Sequence, residues 1–138
     1  YVHNTKAHLI LDIKYYEKCL KYLKDKIELK QVIYFCENKD IEIVKKNINY
    51  LKECFPEYTF KRSSNFINKD KLEDWEEMLL MSCCNHTIIA NSTFSWWGAY
   101  LNENADKIVY YPNRWFGPEA SSINNKDICP DNWHKITI

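Results

Sequence analysis

The chain has 138 residues, 15% of them aromatic, with 19 Lys and Arg against 19 Asp and Glu and no formal net charge. That length suits one domain burying roughly two-thirds of its unfolded surface, and the charge balance excludes a nucleic-acid protein, which needs a basic surplus against phosphates. With Gly98 and Gly117 as the only glycines, a P-loop and a GxGxxG fingerprint are both excluded, and no uncharged run approaches the length of a membrane span.

Ile13, Tyr16, Leu20, Leu23 and Ile27 recur at spacings of three and four, which predicts an amphipathic helix with a charged outer face. Residues 31–36, rich in β-branched and aromatic side chains, read as a buried strand. Ile41, Val44, Ile48, Leu51 and Phe55 repeat the helical spacing, with Asp40 or Asn38 placed to cap it. A second strand is expected over 57–61, a polar loop over 63–69, and a helix opened by an Asp70/Glu73 capping box and carrying Leu72, Trp75, Leu79 and Leu80. Thr87, Ile88, Ile89 and Ala90 form a short buried strand, a helix follows Ser92, and a strand over 107–111 is stopped by Pro112. Residues 113–132 read as loop, before a short end segment over 133–138.

Strands separated by helical segments of this length pair in parallel through right-handed crossovers. The predicted architecture is an α/β domain over 1–138 with an open, mostly parallel, Rossmann-like sheet. Ligands of such sheets lie beyond the carboxyl ends of the strands, at helix N-termini. Two polar segments occupy such ends: Glu37 and Asn38 after the first strand, and Asn91, Ser92, Thr93, Phe94 and Ser95 after the third. The first turn of a helix presents unpaired N–H groups and the positive end of a dipole, so it favours anions. Three hydroxyls (Ser92, Thr93, Ser95) either cap that helix or bind phosphate oxygens, which makes the turn a candidate diphosphate site. Arg is the usual phosphate clamp, and Arg62 and Arg114 are the only two. A clamp is therefore Arg114, a Lys, or a group outside the chain, with a structural salt bridge as the plainer role for Arg114.

Six cysteines form no C-x-x-C pair and fall mostly in apolar segments, the pattern of reduced, buried thiols. Cys83, Cys84 and His86 lack a second ligand pair, so no metal site is assigned. Trp96 and Trp97 are expected in the core, and His86 as a hydrogen-bonded core histidine rather than a base. His3, His8 and His134 form no triad with a nucleophile, and no catalytic residue is assigned.

Asp74-Trp75-Glu76-Glu77-Met78 and the run from Leu80 through NSTFSWWGA (residues 91–99) resemble the C-terminal signature of the α-1,2-fucosyltransferases. Lys107-Ile108-Val109 with Pro112, Trp115 and Phe116 is similar to that family's next block. Supporting matches extend the resemblance over essentially the whole chain. It implies the C-terminal, donor-binding lobe of a GT-B-type glycosyltransferase: inverting, independent of metal and cofactor, moving L-fucose from GDP-fucose to a galactose-terminated glycan acceptor. It also implies Glu77, with Asp74 close by, as a reader of guanine N1–H and N2–H₂, where the family usually has Asp. Glu37, Asn38 and Arg114 are the further candidates for the donor cleft. The family's H-x-R-R-x-D motif is absent, and Tyr1-Val2 is similar to the residues that follow it. The chain is therefore expected to be a fragment that keeps donor contacts but has little transferase activity by itself. The competing reading is a non-catalytic GDP-sugar-binding lobe or degenerate remnant. A cytoplasmic or peripheral membrane location is expected, or the Golgi lumen for a full-length protein with an N-terminal anchor.

Overall fold

Spacing alone required parallel pairing, and all three strand ladders found among the described residues are parallel. The computed structural model describes residues 9–120 and 122–138. Its elements run α1 (Ile13–Lys24), β1 (Gln31–Tyr34), α2 (Ile41–Cys54), β2 (Thr59–Arg62), α3 (Ser63–Phe66) and α4 (Asp74–Ser82), then β3 (Thr87–Ile88), α5 (Thr93–Tyr100), β4 (Val109–Pro112) and β5 (His134–Ile136). The strands are short and fall into two small sheets, ordered β1-β2 and β3-β4-β5. The chain divides into two compact units, Leu20–Glu77 and a second comprising Met78–Ile138 with the chain up to Cys19.

In the Leu20–Glu77 unit, β1 and β2 align Gln31 with Thr59 and Tyr34 with Arg62, so their carboxyl ends are level. Ile48, Leu51, Phe55, Tyr58 and Phe60 are buried here, with the Phe55 and Tyr58 rings stacked at 5.5 Å. α2 keeps its predicted span but not its cap, because the Asp40 side chain makes no cap bond and Asn38 is engaged elsewhere. Residues 63–66, expected as loop, wind into the single turn of α3 with Ser63 and Ser64 buried. α4 begins later than its predicted box. The Glu76 carboxylate accepts from the Glu73 N–H at 2.9 Å while Lys69 holds it from outside, so the capping carboxylate lies three residues past Glu73.

In the other unit, β4 pairs with both β3 and β5 around a core of Ile89, Ala99, Val109 and Trp133. The end segment that the sequence left without a type is strand β5. Pro112, expected to stop this strand, is instead its last residue, paired with Ile136, and the Asn113 N–H still donates to the Ile136 carbonyl at 2.9 Å. Asp12 caps α1 by accepting the Lys14 N–H at 2.8 Å. The stripe buried by α1 is shifted one residue from the predicted one at its start, to Tyr15 and Cys19. The Tyr15 hydroxyl, fully buried, donates to the Ile89 carbonyl at 2.7 Å. None of the helices among the described residues is long and apolar enough to cross a membrane.

Candidate functional site

β3 is two residues long, so the chain leaves the sheet at once and turns into α5 through Asn91 and Ser92. Two side chains hold this turn from within. Asn91, 9% exposed, donates through Nδ2 to the Leu9 carbonyl at 3.0 Å and the Trp115 carbonyl at 2.9 Å. The buried Ser95 hydroxyl lies 3.1 Å from the Ala90 carbonyl and 3.0 Å from that of Ser92, so its proton is used inside the turn.

Among the described residues the outer side of the same turn makes no side-chain cap bond. Ser92 stands at the N-cap in extended conformation (φ −135°, ψ 131°), yet its hydroxyl makes no cap bond. Thr93 is exposed. The helical ladder closes first at Trp96 N–H to Ser92 C=O, 3.0 Å, which leaves the N–H groups of Thr93, Phe94 and Ser95 as the open first turn. No acidic residue lies in that turn to neutralise the dipole. The Asn91 bond to Trp115 ties the loop after β4 to this turn, and the neighbouring Arg114 is exposed. Among the described residues Arg114 forms no ion pair.

The two tryptophans behave differently. Trp96 packs on the core, donates through Nε1 to the Ile128 carbonyl at 2.8 Å and stacks on Tyr100 at 4.7 Å. Trp97 is 46% exposed, contrary to expectation. On α5, Ala99 faces the core and Gly98 faces Met81, so Trp97 falls with Tyr100 on the outer stripe. His86 accepts the Ile108 N–H through Nδ1 at 3.1 Å, and burial lowers its pKa, the state of a neutral structural histidine.

The Leu20–Glu77 unit gathers its polar residues at the carboxyl ends of β1 and β2. Glu77 Oε1 accepts from the Ser63 hydroxyl at 2.6 Å, and Ser63 is fully buried. Asn38 Oδ1 accepts from Arg62 Nη2 at 2.6 Å, and the same nitrogen donates to the Cys36 carbonyl at 3.2 Å. Glu37 is exposed and ion-paired with Lys39 at 2.7 Å, whose hydrogen bond holds its carboxyl below the ordinary range. Asp74 lies exposed in the first turn of α4. Burial pushes the Cys36 thiol up, Arg62 opposes this, and Glu77 and Asp40 add to it.

The structure therefore places Asn91, Ser92, Thr93, Phe94, Ser95 and Arg114 in one unit, and Glu37, Asn38, Asp74 and Glu77 in the other. Arg62 and Ser63 are the polar residues that sequence reasoning passed over. Arg62 was visible as one of two arginines ending a strand. Ser63 was hidden in a segment read as loop. Among the described residues no three His, Cys, Asp or Glu side chains converge as metal ligands.

A family model described as "Glycosyl transferase family 11" matches residues 1–137. The chain is similar to the "O-antigen biosynthesis glycosyltransferase WbnK" of Escherichia coli, 36% identical over 134 residues that cover 95% of this chain and 38% of that protein. It is also similar to the "Alpha-1,2-colitosyltransferase" of Escherichia coli, 36% identical over 141 residues covering 99% of this chain and 44% of that protein. The chain thus spans less than half the length of these curated relatives. No solved structure matches it.

Proposed function

The chain belongs to glycosyl transferase family 11, and from that premise we propose that it is the donor-binding part of a galactoside α-1,2-fucosyltransferase, in the C-terminal lobe of a GT-B-type enzyme. The donor is GDP-L-fucose and the acceptor a galactose-terminated glycan. In an inverting transfer the acceptor 2-hydroxyl attacks the fucose C1 from the face opposite the leaving group. Positive charge grows on the sugar and negative charge on the departing β-phosphate. Fixed donors aimed at that developing charge supply the largest catalytic term, about 3 kcal/mol for one good donor.

The observation that carries this reading is the turn after β3. Its inward side chains are committed, while among the described residues the Ser92 hydroxyl makes no cap bond, Thr93 is exposed and the first N–H groups of α5 precede the helical ladder. We assign these groups to the diphosphate and Arg114 to its charge. Glu77 is assigned to guanine N1–H and N2–H₂, with Ser63 fixing its carboxylate. Neither a catalytic base nor an acceptor contact is assigned to a residue of this chain, and the chemistry as proposed needs no metal.

A second reading, favoured by the 36% identity to the colitosyltransferase, is transfer of a colitosyl residue in the same 1,2 linkage. Calorimetric titration with GDP, GDP-fucose, UDP and ADP tests the donor class. Guanine nucleotides are expected to bind and the others not. Binding of UDP or ADP without GDP would overturn the proposal, and a stronger response to a colitosyl than a fucosyl donor would select the second reading.

A further inference from the structure

Arg62 ends β2 level with Tyr34 of β1. Its Nη2 is tied to two neutral acceptors, the Cys36 carbonyl and Asn38 Oδ1, and it forms no ion pair with a described carboxylate. Its Nε is buried without a hydrogen-bond partner. A part-buried guanidinium normally acquires a counter-ion or a full set of acceptors, because leaving it short costs desolvation energy. Among the described residues this one has no carboxylate, and besides those two oxygens it meets only the weakly accepting Cys36 thiol. Its neighbour Ser63 fixes the Glu77 carboxylate at 2.6 Å, and the Cys36 thiol lies in the field of both Arg62 and Glu77. Consecutive residues of one strand end thus set a strong donor group and an oriented acceptor group around the same cysteine.

We propose that Arg62 reads the O6/N7 edge of guanine beside Glu77, which makes it a specificity-determining residue for the donor base. The inference rests on the assignment of Glu77 as the reader of N1–H and N2–H₂. Guanine alone among the common bases presents two adjacent donors, N1–H and N2–H₂, next to two adjacent acceptors, O6 and N7. Arg is the side chain best suited to those acceptors. Adenine places an amino group where guanine has O6 and would face the guanidinium donor to donor. The bonds to Asn38 and Cys36 orient the guanidinium in advance, and its remaining amino group, Nη1, is the one assigned to the base.

The test compares GDP with 7-deaza-GDP, which lacks the N7 acceptor, 6-thio-GDP, whose O6 is replaced by a poor acceptor, and IDP, which lacks the 2-amino group. Wild type is expected to bind the first two analogues about tenfold more weakly than GDP, the loss of one hydrogen bond to a charged donor. In Arg62→Met both ratios fall to near one while the GDP/IDP ratio, which reports Glu77, stays. Arg62→Lys, which keeps the cation without the planar fork, loses at least the 7-deaza discrimination and covers the case in which Arg62→Met does not fold. A purely structural Arg62 would weaken all nucleotides alike and leave every ratio unchanged, which overturns the inference. So would equal binding of the analogues by wild type, or loss of inorganic pyrophosphate binding in Arg62→Met with the base ratios intact. Failure of GDP itself to bind wild type would instead overturn the donor reading beneath it.

Discussion

Gly98 of α5 packs directly against Met81 of α4, and a single methyl there measures how tightly the helix that carries the open turn is seated. A Cβ built on Gly98 stands 2.5 Å from Met81 Sδ, 2.9 Å from its Cγ and 3.0 Å from its Cβ. Ordinary contact begins at 3.4 Å, so the sulfur must retreat by about 0.9 Å and the Met81 Cβ by about 0.4 Å. The sulfur can swing on its side chain; the Cβ moves only with the α4 backbone. Overpacking of this kind costs about 1–3 kcal/mol, and Ala returns about 1 kcal/mol of helix propensity over Gly. Gly98→Ala is therefore expected to lose about 1 kcal/mol, a fall of about 4 °C in the unfolding midpoint for a chain of this size. Thermal unfolding followed by circular dichroism, with a urea series, measures it. The cause is checked by a double-mutant cycle with Met81→Ala, in which the new methyl fills space the truncation opens. The pair should be more stable than the sum of the singles by about 1 kcal/mol. An unchanged or raised midpoint in Gly98→Ala, or additivity in the cycle, would refute the reasoning.

Three other outcomes follow from named contacts. Asn91→Asp replaces two buried N–H donors by a carboxylate facing the Leu9 and Trp115 carbonyls; it should destabilise by at least 3 kcal/mol, roughly the cost of breaking a buried charged network, and more than Asn91→Ala in the same urea series. Tyr15→Phe leaves the Ile89 carbonyl short of its buried donor and is expected to cost about 1–3 kcal/mol; a change below about 0.5 kcal/mol would show the bond to be idle. His86 has a folded pKa below its ordinary 6.5, so the unfolded chain takes the proton first. The stability His86 contributes is complete above about pH 6.5 and is lost as the pH falls through the lower folded value. His86→Asn keeps an acceptor for the Ile108 N–H without titrating, so its loss of stability below pH 6.5 should be shallower than that of wild type, and parallel profiles would contradict the assignment.

How much of this was legible in the chain depends on the range of the interaction. The apolar spacing of Ile48, Leu51 and Phe55 placed α2, and the strand-helix alternation required the parallel ladders, because both are consequences of local period. The Asn91–Ser95 turn was legible for the same reason: a strand, a hydroxyl-rich cap and a helix are adjacent in sequence. What local pattern could not reveal was which hydroxyl is spent. Ser92, Thr93 and Ser95 look equivalent in sequence, and only the fold turns Ser95 inward onto Ala90. Trp97 was misplaced because adjacent tryptophans cannot both face one sheet from a helix. Arg62 and Asn38 lie 24 residues apart and meet only through the β1-β2 register, and the Ser63–Glu77 pair needs α3, a turn too short for periodicity to announce.

If the open turn at the head of α5 holds the donor diphosphate, a GDP titration of wild type against the Ser92→Ala/Thr93→Ala double variant reads that out. Hydroxyl bonds to a charged phosphate contribute about 1.5 kcal/mol each at the low end, so the pair should raise the Kd on the order of 100-fold. Thermal stability should stay the same, because Ser92 makes no cap bond to lose. An unchanged Kd in the double variant would contradict the account.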